Sequence, residues 1–204
     1  MQSGGGRSRR SGLGADFESV LDAARSGRPE AWERLYHALA PAVTGYLRMQ
    51  GAAEPDDLAS EVFLGVFRGI AKFAGDEGAL RSWVFVIAHR RLHDERRRHY
   101  RGVPTASYDS EPVAPATPSA EDDALRRLAT DRVRAICAQL APDQRDVVLL
   151  RILGDLTVEQ VADVLGKSVG AVKQLQRRGL EAIRRLSPEM NPTQQISRPE
   201  GVPL

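Results

Sequence analysis

The chain has 204 residues, with 29 Lys and Arg against 27 Asp and Glu and a formal net charge of +2. That length suits one medium domain or two small ones, and the near balance of charge excludes a chain that is polybasic throughout. A single cysteine excludes an intramolecular disulfide, and no apolar run approaches the ~20 residues that span a bilayer, so no membrane insertion and a cytoplasmic setting are expected.

The charge is distributed in blocks. Residues 81–101 carry seven arginines against Asp94 and Glu95, residues 102–122 carry four acids and no Lys or Arg, and residues 167–185 carry six basic residues against Glu181. Basic, acidic, basic is the pattern to explain.

Residues 1–15 are Gly, Ser and Arg with almost nothing apolar, which predicts a disordered tail. The segment has positive charge but no apolar stretch behind it, so it does not read as a secretory leader. From Asp16 the spacing becomes helical: Phe17, Val20, Leu21 and Ala24 make a stripe that Gly27 stops. A second helix begins near Pro29 in "RPEAWERLYHALAPAVTGYL", with Trp32, Leu35, Tyr36, Leu39, Val43 and Leu47 predicted inward and a kink or break expected at Pro41.

The third helix opens at "EPDDLASEVFLGVFRGIAKF". Pro55 suits a first turn, and Glu54, Asp56 and Asp57 suit the positive end of the helix dipole. Leu58, Val62, Val66, Ile70 and Phe73 form its buried face, which leaves Leu64 and Phe67 outside. A fourth helix runs from about Leu80 to His99, anchored by Trp83, Val84, Ile87 and Ala88.

The end of that helix, "IAHRRLHDERRRHYR", concentrates three histidines and six arginines in fifteen positions. It reads as a metal-binding helix, a grip on nucleic acid or a solvated surface. His89 and His93 share one helix face at metal-ligand spacing. No cysteine or HExxH pattern supports them, however, and the flanking arginines repel a cation, so neither a metal nor a cofactor is expected. Arginines 96–98 repel one another in the free helix, which favours a polyanionic partner.

Residues 102–122, "GVPTASYDSEPVAPATPSAED", contain four prolines and no helical period, and read as an extended linker. Beyond it, "DALRRLATDRVRAICAQL" predicts a helix with Leu125, Leu128, Val133, Ile136 and Leu140 inward. Cys137 in that pattern is a small hydrophobe rather than a redox group. "APDQRDVVLLRILGDL" gives the next helix.

The most informative stretch is "LTVEQVADVLGKSVGAVKQLQRRGLEAIRRL". Thr157 and Gln160 form a capping box, Gly166 closes that helix, and Ser168 caps the next. Val169, Val172, Leu175 and Ile183 form the inner stripe of the last helix. Two helices joined through a short Gly-containing turn describe a helix-turn-helix. Lys173, Gln174, Arg177 and Arg178 remain outside to meet phosphates and base edges, while Gly170 and Ala171 allow close approach. No strand alternation is present, so the expected architecture is all-α: two small helical domains joined by an acidic, Pro-rich linker.

Two separated motifs now agree. "LAPDQRDVVLLRILGDLTVEQVADVLGKSVGAVKQLQRR" resembles the −35-reading domain of the extracytoplasmic-function branch of the bacterial sigma-70 family. "DDLASEVFLGVFRGIAKFAGDEGALRSWVFVIAHRRLHDERRR" resembles that family's domain for the polymerase clamp and the −10 element. The resemblance implies a tail at 1–15, region 2 at 16–101, a linker at 102–122, region 4 at 123–187 and a tail at 188–204. It implies core RNA polymerase (clamp and flap) and promoter DNA as partners, with room for an anti-sigma factor, and neither catalysis nor a small-molecule substrate.

Carried over residue by residue, the resemblance assigns core-polymerase docking to Asp56, Asp57, Leu58, Ser60, Glu61, Phe63, Leu64 and Phe67. Engagement of the −10 element falls to Trp83, His89, Arg90, Arg91, Arg96, Arg97, Arg98 and Arg101. Reading of the −35 element falls to Lys167, Ser168, Gly170, Ala171, Lys173, Gln174, Arg177 and Arg178. Ser60 replaces the family's commoner Gln, and Arg90 stands where Asn is usual. Leu175 and Gln176 stand where many relatives have Arg and Leu, so the promoter sequence does not carry over.

Two rival readings follow from the residues. A helix-turn-helix regulator that is not a polymerase subunit would need neither the acidic helix at 54–61 nor the basic helix at 81–101. A metal-dependent hydrolase built on His89, His93 and Asp94 lacks further ligands at readable spacing.

Overall fold

The computed structural model describes residues 13–100 and 120–187, and every regular element among them is helical. Residues 1–12 of the first tail, Arg101, the linker residues 102–119 and the whole of the tail 188–204 lie outside the described residues.

The N-terminal bundle holds α1 (Phe17–Arg25), α2 (Pro29–Met49), α3 (Pro55–Gly69) and α4 (Glu77–Tyr100). Regular structure is present before Asp16. A 3-10 turn covers Gly14–Asp16, and the Leu13 and Gly14 amides donate to the Glu77 carboxylate at 3.0 and 3.1 Å. Prolines at the first helical position open α2 and α3, where the missing N–H is one the helix would leave unbonded. Helix α4 starts sooner than its apolar stripe, because the Asp76 Oδ1 accepts the Ala79 amide at 2.7 Å.

Pro41 neither breaks nor ends α2, which runs through it to Met49. Pro41 is exposed while Leu39, Ala40 and Val43 on the opposite side are buried. The lost backbone bond therefore falls on the solvent side, and tertiary packing holds the helix through it. Tyr36, expected inward, is 43% exposed.

The C-terminal bundle holds α5 (Ala120–Ala138), α6 (Pro142–Ile152), α7 (Val158–Leu165) and α8 (Val169–Leu186). Helix α5 begins inside the stretch expected to be linker. Leu128 and Val133, expected inward on it, are exposed, whereas Cys137 and Leu140 at its end are buried. Burial raises the Cys137 thiol pKa, against a weaker opposing effect of Arg145. The turn between α7 and α8 follows the sequence closely. Thr157 accepts the Gln160 amide at 3.2 Å, the Gln160 side chain accepts the Thr157 amide at 2.8 Å, and Gly166 sits at φ 62° and ψ 34°, a conformation that costs a glycine little.

The two bundles pack against each other, and buried residues of both form one continuous core. Gln160 of α7 donates to the Gly78 carbonyl at the start of α4, 3.0 Å away. The Gln50 side chain just past α2 donates to the buried Asp146 of α6 at 2.5 Å.

Candidate functional site

Three surfaces hold the residues singled out by the sequence. The first lies between α2 and α3. Leu64 and Phe67 are 54% and 56% exposed, an unfavourable placement for large apolar groups unless something covers them. They line an open groove of about 700 Å³ with Trp32, Tyr36, Phe63 and Ser60. Its walls are tied by ring contacts: Trp32 meets Phe67, and Tyr36 meets Phe63, each at 4.8 Å between centroids.

The helix α3 residues divide by position. Asp56 and Asp57 are exposed at its N-terminal turn, with Asp56 3.4 Å from Arg48. Glu61 pairs with Arg91 at 3.4 Å. Leu58 is buried in the core and has no face to offer a partner. The period of α3 marked Leu64 and Phe67 as outward, but it gave no sign that Trp32 and Tyr36 would complete the groove from α2.

The second surface is α4. Arg90, Arg97, Arg98 and His99 are exposed, whereas four residues expected beside them are engaged elsewhere, Arg91 through its pair with Glu61. Trp83 is half-buried and stacks on Phe73 at 5.3 Å with 22° between the planes. Arg96 donates to the Gln50 backbone carbonyl at 2.6 Å and its side-chain oxygen at 3.1 Å, which draws the guanidinium inward. His89 is half-buried, its Nδ1 hydrogen-bonded to the Tyr46 hydroxyl at 2.9 Å.

Tyr46 is fully buried. Burial, assisted by Asp146, holds its hydroxyl far above the ordinary tyrosine range, so it is neutral. Burial lowers the His89 pKa; His93 and Arg96 push the same way, and Asp146 opposes them. His89 and His93 meet edge to face at 4.5 Å. The sequence could not reveal that Asp146, from the other bundle, stands beside both.

The third surface is α8. Val172 is buried, and Val169, Leu175 and Ile183 are partly so, which turns Lys173, Gln174, Arg177 and Arg178 out to solvent. Ser168 Oγ accepts the Ala171 amide at 3.2 Å and caps the helix. Gly170 is open to solvent with nothing near its missing Cβ. Lys167 reaches back to Asp143 at 2.9 Å, so it braces the turn. Gly179, which the sequence did not mark, lies where α8 crosses α6: a Cβ there would stand 2.7 Å from Val148 Cγ2.

Comparison with known proteins fits this geometry. A model described as sigma-70 region 2 matches residues 35–102, and one described as sigma-70 region 4 matches residues 138–185. The RNA polymerase sigma factor CarQ of Myxococcus xanthus is 30% identical over 170 residues, covering 81% of this chain and 94% of CarQ. The chain belongs to the sigma-70 family, in its extracytoplasmic-function branch.

A second relative, the sigma factor BldN of Streptomyces coelicolor, is 29% identical over 177 residues, covering 86% of this chain and 67% of BldN. The fold is shared with CnrH, solved in complex with the cytosolic domain of CnrY, at a TM-score of 0.60 and 21% identity over 84% of this chain and 97% of that one. This sigma factor serves transcription initiation, binds DNA through region 4 and is not an enzyme. Among the described residues no helix is long and apolar enough to cross a membrane.

Proposed function

We propose that this sigma factor docks on core RNA polymerase through the groove between α2 and α3, engages the −10 element with the solvent side of α4, and reads the −35 duplex with α8, working in the cytoplasm. The boundaries that go with this reading are region 2 at 16–101, the linker at 102–122 and region 4 at 123–187. Core polymerase is the partner in two places, its clamp at region 2 and its flap at region 4.

The observation that carries the reading is the groove. Exposed Leu64 and Phe67 lie among Trp32, Tyr36 and Phe63 in a groove also lined by Glu33, His37 and Ser60, an apolar centre with polar groups around it, the composition of a protein-docking patch. Of the docking set, Ser60, Phe63, Leu64 and Phe67 line the groove that a partner would fill, Trp32 and Tyr36 join them from α2, and Asp56, Asp57 and Glu61 supply charge elsewhere on α3. Leu58 acts only by holding α3 in place. At −10, Arg90, Arg97 and Arg98 are the phosphate contacts; Arg96, His89 and Trp83 support the helix from within. At −35, Lys173, Gln174, Arg177 and Arg178 face the groove of the duplex, while Gly170 and Ala171 admit the backbone. An anti-sigma protein is proposed as a further partner, by likeness to CnrH with its bound CnrY domain.

The test is Leu64→Asp combined with Phe67→Asp. Both side chains are exposed, so the thermal transition should stay within a few degrees of wild type. Covering one such side chain is worth roughly 1.5–3 kcal/mol, and 1.4 kcal/mol is tenfold in affinity. Affinity for core polymerase should therefore fall by about tenfold or more. Unchanged affinity in the folded double variant would overturn the docking assignment.

A further inference from the structure

The seam between the two bundles brings together three groups of ligating chemistry that the sequence keeps apart. His89 and His93 lie four residues apart on α4, so both rings leave the same helix face. Asp146 comes from α6 on the other side of the seam. One ligand atom from each lies within 4.8 Å of the others.

We propose that His89, His93 and Asp146 bind a zinc-class divalent cation that fastens region 4 onto region 2. Two imidazoles and one carboxylate form a donor set that suits zinc and its neighbours, whereas magnesium and calcium prefer all-oxygen sites. A tetrahedral zinc holds its ligands about 3.3 Å apart, given bonds of ~2.0–2.1 Å. Closing from 4.8 Å needs a shift of roughly 1.5 Å in the widest pair. His93 is exposed and free to turn; water completes the fourth position.

The supporting groups are already in place. The bond to the Tyr46 hydroxyl occupies His89 Nδ1 and leaves Nε2 as the free ring nitrogen. A partner on the second nitrogen is what fixes the orientation of a metal-bound histidine. Gln50 holds the Asp146 carboxylate through an uncharged amide at 2.5 Å, and Asp146 is only 8% exposed. A buried carboxylate held by a neutral group gains from a cation. Arg96 is an opposing charge beside His89, and its bonds to both oxygens of Gln50 hold it at the end of α2.

The cation would act as a clasp. Because its ligands come from both bundles, binding selects the closed arrangement and opposes any state in which the two separate. This consequence rests on the sigma reading, since separation matters only if both promoter elements must be reached at once.

The test uses the full-length chain without a histidine tag, Zn²⁺ as the probe in a chelator competition, and Co²⁺ for its visible absorption. Wild type should take up one Zn²⁺ per chain and give the intense absorption of tetrahedral cobalt. His93→Ala and Asp146→Asn should each weaken Zn²⁺ binding at least tenfold. Asp146→Asn keeps the shape of the side chain, so it tests the carboxylate without a cavity. No stoichiometric uptake by wild type would overturn the site. Equal uptake by Asp146→Asn would leave a two-histidine chelate on α4 alone and overturn the clasp. In transcription with core polymerase, Zn²⁺ should reduce initiation by wild type several-fold more than by His93→Ala, and equal inhibition of both would also overturn it. Failure to initiate without any metal would count against the sigma reading and leave the site untouched.

Discussion

Gln174 and Lys173 are neighbours on the exposed face of α8, yet they have different chemistry to offer DNA. A glutamine amide pairs with the N6/N7 edge of adenine through two bonds, worth ~1–3 kcal/mol of discrimination. A lysine ammonium neutralises phosphate and carries no sequence information. Across a library of −35 elements with the −10 element fixed, Gln174→Ala should relax preference at one or two base pairs and cost about tenfold on the best sites. Lys173→Ala should weaken all sites alike. An equal loss on every site for Gln174→Ala would make this residue a positioning contact.

The arginines of α4 separate in the same way. Arg97 and Arg98 are exposed, whereas Arg96 is bonded to both oxygens of Gln50. Both Gln50 and Arg96 belong to the N-terminal bundle, so those bonds persist whether or not the bundles separate. Replacing Arg97 and Arg98 with Gln should lower the slope of log affinity against log salt by roughly 0.7–0.9 for each phosphate no longer neutralised. Arg96→Gln should leave that slope unchanged. A drop of the same size from Arg96→Gln would show that its guanidinium leaves Gln50 to reach phosphate.

At the scale of elements, the helices were legible because their signals are local. The capping box at Thr157 and Gln160, the left-handed Gly166 and the Ser168 cap each act within four residues, and a sequence displays such distances directly. Tertiary effects were hidden. Helix α2 passes Pro41 only because its opposite side is packed, and α5 leaves Leu128 and Val133 exposed although their spacing is helical. Gly179 is the sharpest case. By helix propensity alone a glycine inside α8 costs ~1 kcal/mol against alanine. In the fold it lets α8 approach α6, with Val148 Cγ2 standing 2.7 Å from where a Cβ would be. Valine is stiff about its first side-chain torsion and gives way poorly. Gly179→Ala should therefore destabilise the C-terminal bundle by about 1–3 kcal/mol, measured by urea unfolding, despite its better helix propensity. A net gain in stability would show that the helices have room to part.

At the scale of the molecule, both bundles and their order were readable, and their packing was not. The hydrogen-bonding groups of the seam, Gln50, Gly78, Asp146 and Gln160, are polar or small and read one at a time as surface. They are joined by two hydrogen bonds across the seam, from Gln50 to Asp146 and from Gln160 to Gly78. The face of α8 that carries Lys173, Gln174, Arg177 and Arg178 stays exposed in this arrangement. Simultaneous contact with two promoter elements is a different requirement, since two turns of duplex span ~70 Å. Between the end of α4 and the start of α5 at Ala120, residues 102–119 reach up to ~60 Å when extended, which is enough for the bundles to part.

The most direct measurement is the distance between fluorophores at Glu18→Cys and Arg185→Cys, both exposed positions, in a chain carrying Cys137→Ala. It is read for the free protein, then with core polymerase, then with promoter DNA added. The account predicts one short distance in the free chain and a separation greater by several tens of ångströms in the promoter complex. An unchanged short distance in a complex that initiates transcription would contradict it, because α4 and α8 would then be unable to hold the −10 and −35 elements together.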